Sequence, residues 1–237
     1  MTEIRASSPF PAAVAGGIIG AVLSAALLIF AIPQYFSSRI VREGMLKDPQ
    51  ILVDTADALR DSQYAPVIAA NRHALEKPFG SSWKGAQKPQ VTLVEFYDYA
   101  CPYCKASNPY VERLLKEDPG LRIVYRELPI LGPESVAAAR LALTASKQGK
   151  FTKFHDALWE AGRPAPETTG MAAKAAGIAP QPQADPAIEA ELRSNFQLAG
   201  QLGATGTPLF VVGDRVMNGA VGYDTLKRAI SAARDKS

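Results

Sequence analysis

Cys101 and Cys104 are the only cysteines in a chain of 237 residues, and just Pro102 and Tyr103 separate them. A disulfide framework is excluded, because such scaffolds spread four or more cysteines through a small domain, and so short a loop would barely constrain an unfolded chain. A closed structural zinc site fits no better. Two thiolates fill half of a tetrahedron, and the two histidines, His73 and His155, stand at unrelated spacings. What remains is chemistry done by the pair itself, either thiol–disulfide exchange or capture of one soft metal ion such as Cu(I).

The flanking residues must position that pair. The run VTLVEF, Val91 to Phe96, is apolar and β-branched with a single charge, which predicts a strand buried on both faces. From Lys105 to Glu117 the apolar residues Tyr110, Val111, Leu114 and Leu115 follow the spacing of an amphipathic helix. The cysteines therefore sit at a strand-to-helix junction. There the free N–H groups and the positive end of the helix dipole favour a thiolate on Cys101, and Pro102 supplies the fixed φ of a first turn. Cys104, one turn further in, is placed to attack a mixed disulfide formed on Cys101. The plain alternative is two cysteines packed as small hydrophobes.

Further features accompany the motif: Glu95 six residues before Cys101, Pro109 eight residues after it, and Thr207-Pro208 just ahead of a predicted strand and terminal helix. With the stretches FYDYACPYC, VYRELPILGPES and TPLFVVGDRVMNGAVGYDTL, the chain resembles the DsbA-type disulfide oxidoreductases of the bacterial envelope. Within them it is most similar to the outer-membrane-protein Com and suppressor-of-copper-sensitivity C branch. The resemblance covers Val91 to the C-terminus. It implies an α/β thioredoxin fold with a helical insertion, here at about 133–203. It also implies that Glu95 is a buried acid exchanging protons with Cys104, that Pro109 kinks its helix, and that Pro208 is cis with Thr207 facing the cysteines. A substrate strand would lie against Thr207 and Pro208, beside Pro102 and Tyr103. No cofactor is implied beyond the redox-active Cys101–Cys104 disulfide. The implied partners are cysteine-containing or unfolded envelope proteins and a membrane redox partner. The plain alternatives are an ion-paired acid at Glu95 and a proline that merely opens an edge strand at Pro208.

Two departures from the best-known oxidase pattern bear on the direction of electron flow. Pro-Tyr stands between the cysteines where the strong oxidase has Pro-His, so Cys101 loses one electrostatic stabiliser of its thiolate. Thr207 stands where the oxidase carries valine and envelope isomerases carry threonine. Both point toward a reductase or isomerase; a dithiol oxidase and a Cu(I)-binding copper-tolerance protein are the alternatives.

Inside the insertion, ESVAAARLALTASKQG, FTKFHDALWEAG and PAIEAELRSNFQLAGQLG carry helical periodicity. The proline-rich RPAPETTG and APQPQADP read as breakers between them. Asp185-Pro186 reads as an N-cap with a proline at N1, and Gly149 as a stop. His155 shares a helical face with Phe151, Phe154 and Leu158, which points to packing.

Residues 1–36 read as a membrane anchor or signal segment. Ala12 to Ile32 is 21 residues of apolar or small character, long enough to span the roughly 30 Å of hydrocarbon. An uncleaved anchor in the bacterial inner membrane, with the catalytic domain in the periplasm, is preferred to a cleaved signal peptide that releases a soluble product. Residues 37–80 predict a helical stalk, with one helix after Asp48-Pro49 and another starting at Pro66. That stalk is either a solvated spacer or an oligomerisation element. KPFGSSWKGAQKPQ reads as the hinge into the core at 81–237. The formal charge of +3, from 26 basic and 23 acidic residues, comes without a basic patch or phosphate-binding loop, so nucleic acid is not an expected partner.

Overall fold

The computed structural model describes residues 41–179 and 185–235. The expected anchor at Ala12 to Ile32 lies outside them, and among the described residues no helix is long and apolar enough to cross a membrane. The chain divides into two compact units, one ending at Ala58 and one beginning at Leu59. In the first, residues 41–47 are helical, and helix α1, Gln50–Glu76, begins.

The second unit is built on a five-stranded sheet in the order β1-β3-β2-β4-β5, with β1 Trp83–Gly85, β2 Val91–Tyr97, β3 Leu121–Glu127, β4 Leu209–Val212 and β5 Arg215–Asn218. β2 and β3 are parallel, and the other pairs are antiparallel. The expected strand at Val91 is central and almost wholly buried. After β2 comes α2, Pro102–Glu117, with Pro109 inside it. The insertion holds α3 Pro133–Lys147, α4 Phe151–Ala161, α5 Pro166–Ala176 and α6 Pro186–Gln201, and the chain ends on α7, Tyr223–Arg234. Asp185 caps α6 by accepting the Ala187 N–H at 2.9 Å, and Gly149 follows α3 with φ 70°. One core lies between the sheet, α2, α7 and the insertion; a second, with Ile68 and Leu75 of α1, covers the opposite face of the sheet.

Three local expectations change. The breaker RPAPETTG opens α5, because Pro166 occupies N1, where no N–H is needed, and Thr168 Oγ1 accepts the Ala165 N–H at 2.9 Å. Trp83–Gly85, read as part of a hinge, pairs with Arg122–Val124 of β3. Gly85 sits at φ 99°, where a Cβ would strike the Leu121 carbonyl, so the close backbone approach itself selects glycine. Pro66 does not start a helix but lies inside α1. An interior proline costs about 3 kcal/mol, while full burial of Ile68 and Leu75, each 1% exposed, returns about 1.5–3 kcal/mol per side chain. The compact unit that holds the sheet accordingly includes the later part of α1, from Leu59 onward.

Arg126 fastens α1 to the sheet. It is 3% exposed and donates to the carbonyls of Ala74, Leu75 and Lys77 at the end of α1, and to Glu191 and Asn195 of α6. Arg126→Ala leaves those acceptors unmet. The variant is expected to lose about 3 kcal/mol or more in urea unfolding, and amides of residues 68–76 should lose hydrogen-exchange protection before those of β2.

Candidate active site

Four residues, Asp98 to Cys101, turn the chain from β2 into α2. Asp98 holds that turn. Its Oδ1 accepts the Ala100 N–H at 2.7 Å, its Oδ2 accepts the Ile130 and Leu131 N–H groups at 2.8 and 2.9 Å, and its carbonyl accepts the Cys101 N–H at 3.0 Å. One buried carboxylate therefore ties the loop before the cysteines to the loop after β3. Cys101 becomes the N-cap of α2, with Pro102 in its first turn.

The cysteines are both free thiols, so the geometry is that of the dithiol state. The Thr207–Pro208 peptide bond is cis, and the Thr207 carbonyl accepts Cys101 Sγ at 3.2 Å. Cys101, Cys104 and Thr207 thus come together past the carboxyl end of β2, with Pro102 and Tyr103 in the first turn of α2 and Pro208 following Thr207. Access to the two thiols is unequal. Cys101 is 4% exposed and lines a surface pocket of about 220 Å³ with Tyr99, Pro102, Lys105 and Arg163. Cys104, at 0% exposure, lies beneath, whereas Tyr103 is 65% exposed.

Glu95 stands in β2 between Tyr125 of β3 and Phe210 of β4. It is 1% exposed, and neither carboxylate oxygen has a hydrogen-bond partner. Burial pushes its pKa up to about 8, with Lys84 pulling down and Glu112 pushing up. The ion-paired alternative does not describe it, because the Lys84 ammonium is taken by Glu112 at 2.6 Å and Asp156 at 2.5 Å. The Cys104 thiol is raised well above its ordinary value, by burial first and by the Glu95 charge second. Thr207 Oγ1 favours the Cys104 thiolate weakly, although it makes no hydrogen bond of ordinary geometry. A buried acid thus acts on the inner thiol.

The DSBA-like thioredoxin domain model matches residues 92–231. The chain belongs to that family. Solved structures agree with this DsbA-like assignment. A periplasmic thioredoxin-like protein from Salmonella enterica serovar Typhimurium is 34% identical, over 69% of this chain and 95% of that one, at TM-score 0.64. A thioredoxin-like oxidoreductase from Silicibacter pomeroyi is 36% identical, over 70% and 99%, at TM-score 0.64. The catalytic domain of Proteus mirabilis ScsC is 27% identical, over 73% and 99%, at TM-score 0.67. Among curated proteins, the Na(+)/H(+) antiporter NhaA 1 of Salinispora arenicola is 30% identical over 158 residues, which is 63% of this chain. The chain spans about a quarter, 24%, of that relative's length. Motif, fold and family place this DsbA-like chain, related to ScsC, among the thiol:disulfide oxidoreductases.

The DsbA-like frame also reveals residues that the sequence reading missed. Trp159 donates its Nε1–H to His155 Nε2 at 3.1 Å, which leaves the ring proton on Nδ1 for the Tyr99 hydroxyl at 3.0 Å. Tyr99 meets Tyr97 at 3.0 Å, and Tyr97 donates to Glu127. Burial first, and Lys84 second, hold His155 well below its usual range, so it is neutral. It is a bonded core histidine, as its helical face implied, and it steadies Tyr99 in the wall of the Cys101 pocket. The only sequence sign of this network was the alternation of Tyr97, Asp98 and Tyr99 ahead of the motif; its partners lie in β3 and α4.

Glu95 also sets a pH dependence. Its folded pKa of about 8 stands above the ordinary 4.5, so the folded state holds a proton that the unfolded state releases, and stability falls as pH rises through that window before levelling off. Glu95→Gln removes this term. The variant should gain on the parent progressively across the window, by on the order of 4 kcal/mol at its top, when urea unfolding is followed against pH. The same change should slow attack by Cys104 on a mixed disulfide while leaving formation of that disulfide at Cys101 nearly unaltered.

Proposed function

We propose that this protein is an envelope thiol:disulfide oxidoreductase that exchanges disulfides with cysteine-containing proteins, Cys101 being the attacking thiol and Cys104 the resolving one. The asymmetry of the pair carries the reading. Cys101 lines a surface pocket at a helix N-terminus against the Thr207 carbonyl, and Cys104 is sealed beneath it with an unpartnered acid. When the pair is oxidised, a substrate thiolate attacks Cys101 Sγ and the bond to Cys104 breaks. Cys104 leaves as a thiolate and takes a proton from neutral Glu95. In reverse, Glu95 accepts the Cys104 proton, Cys104 attacks Cys101 in the mixed disulfide, and the substrate leaves as a thiolate. Two electrons pass between substrate and enzyme in each complete exchange. A group titrating near 8 can do both jobs near neutrality. The chemistry needs no cofactor beyond the pair.

The preferred direction is that of a reductase or isomerase. The exposed Tyr103 brings no positive charge to Cys101, and His155, neutral and bonded at both nitrogens, cannot supply one. A dithiol oxidase is the second reading, favoured by Lys105 and Arg163 around the Cys101 pocket, since nearby cations stabilise a thiolate. The periplasmic relative from Salmonella supports a periplasmic catalytic domain, and the apolar run at Ala12 to Ile32 supports an inner-membrane anchor beside a membrane redox partner. Val41, Leu46, Ile51, Leu52 and Val53 are exposed apolar residues, which supports association of the stalk between copies of the chain.

Cys104→Ser should accumulate mixed disulfides with envelope proteins, each mapping to Cys101 by mass spectrometry; bonds through neither position would refute the mechanism. A reduction potential nearer the roughly −180 mV of an isomerase than the roughly −120 mV of a strong oxidase is expected. Protein beginning at Ser37 should be oligomeric and protein beginning at Leu59 monomeric by sedimentation, with refolding of scrambled substrate lost in the shorter form.

A further inference from the structure

Two cations share a pocket with the reactive thiol. The pocket, about 220 Å³, is bounded by Cys101, Tyr99, Pro102, Lys105 and Arg163. None of residues 205–208 lines it, so it opens on a different side of Cys101 from the Thr207 carbonyl that touches Sγ. Among the described residues no acidic side chain lines it, and neither Lys105 nor Arg163 is held in an ion pair. The acids nearby are committed elsewhere. Glu112 of α2 and Asp156 of α4 hold Lys84, and Glu160 shares only the neighbouring cleft with Lys105.

Neither cation is placed where local stability favours it. Lys105 stands one turn into α2, its N–H donating to the Cys101 carbonyl at 3.1 Å, and a positive charge there opposes the helix dipole. Arg163 follows Gly162, which ends α4 at φ 106°, a conformation that side chains rarely tolerate. Its backbone is then fixed, because its carbonyl accepts Thr168 Oγ1 at 2.9 Å and the next residue, Pro164, is buried. Both side chains are exposed. The insertion thus sets one cation across the pocket from the other, with Cys101 between them in its wall. Tyr99 and Pro102 exclude water from that wall, which strengthens the pull of both charges on an anion.

We infer that this pocket is a subsite for a carboxylate side chain, an Asp or Glu within two residues of the substrate cysteine. It directs the enzyme toward cysteines in acidic segments of its protein substrates. The inference rests on the oxidoreductase reading and adds a substrate class to it.

The test uses full-length Cys104→Ser protein and short peptides with one cysteine held as a disulfide to thionitrobenzoate. The Cys101 thiolate attacks the peptide sulfur, a protein–peptide disulfide forms, and the coloured aryl thiolate leaves. Peptides carry Asp, Asn or Lys at one position, one or two residues before or after the cysteine. At low ionic strength and subsaturating peptide, Asp should react about fivefold faster than Asn at one or more of these positions. Salt at about 1 M, where charges are screened beyond about 3 Å, should bring the ratio close to unity. Lys105 and Arg163 also favour the Cys101 thiolate, so their removal slows every peptide, and the ratio separates recognition from reactivity. Lys105→Gln/Arg163→Gln should reduce the ratio to within about twofold, and Lys105→Glu/Arg163→Glu should favour Lys over Asp. Lys88→Gln/Lys116→Gln removes as much charge before the start of β2 and in the last turn of α2, away from Cys101, and should retain the preference for Asp. Circular dichroism checks that all three variants are folded. Equal rates for Asp and Asn at every position, a preference that survives Lys105→Gln/Arg163→Gln, or one lost equally in Lys88→Gln/Lys116→Gln, overturns the subsite while leaving the exchange reaction intact. If no peptide reacts with Cys101 at all, the oxidoreductase reading fails and the subsite with it.

Discussion

Burial of Glu95 is an unfavourable arrangement that no hydrogen bond relieves, and the active site is organised around it. A carboxylate in that position, lacking any hydrogen-bond donor, would cost several kcal/mol, so the group keeps its proton near neutrality. Cys104 above it is subject to the same desolvation. The Glu95 charge therefore makes the Cys104 thiolate harder to form, and a proton passing between them changes no net charge in the core. Cys101 lies instead at the pocket wall with a helix N-terminus behind it. One cysteine is thus made available and the other held in reserve by position alone.

The rest of the fold keeps that difference in place. β2 carries Glu95 into the sheet and delivers Asp98 to the turn, where its four hydrogen bonds fix the approach to Cys101. From the other side, the cis Thr207–Pro208 loop sets a carbonyl against Cys101. The insertion roofs the sheet with His155 and Trp159, whose bonds to Tyr99 steady the pocket wall. Lys84, on the short edge strand, is engaged by Glu112 and Asp156, so its charge acts on Glu95 without neutralising it by contact.

The features that local pattern governs were legible in the sequence. The apolar run at Val91, the helix after the cysteines, three insertion helices, and a strand and helix at the end all follow from local pattern. What was not legible depends on contacts with distant chain. β1 has three residues, too few to show a period, and exists because β3 offers an edge. Helix α1 passes through Pro66 because the sheet buries the residues beyond it. Pro166 looks like a breaker until its position in a first turn is known. The cysteines were recognisable by spacing, and Glu95 and Thr207-Pro208 by family resemblance, but Asp98, Lys84 and the His155 chain act through partners roughly 30 to 70 residues away.

The central claim is that burial divides one cysteine pair into an attacker at the wall of a surface pocket and a sealed resolver. Its most direct test is timed alkylation of the fully reduced protein with iodoacetamide from pH 5 to 9, read by mass spectrometry of the peptide containing both cysteines. The account predicts labelling of Cys101 alone, with Cys104 modified only after denaturation. Labelling of Cys104 in the folded protein at a rate comparable to Cys101 would contradict it.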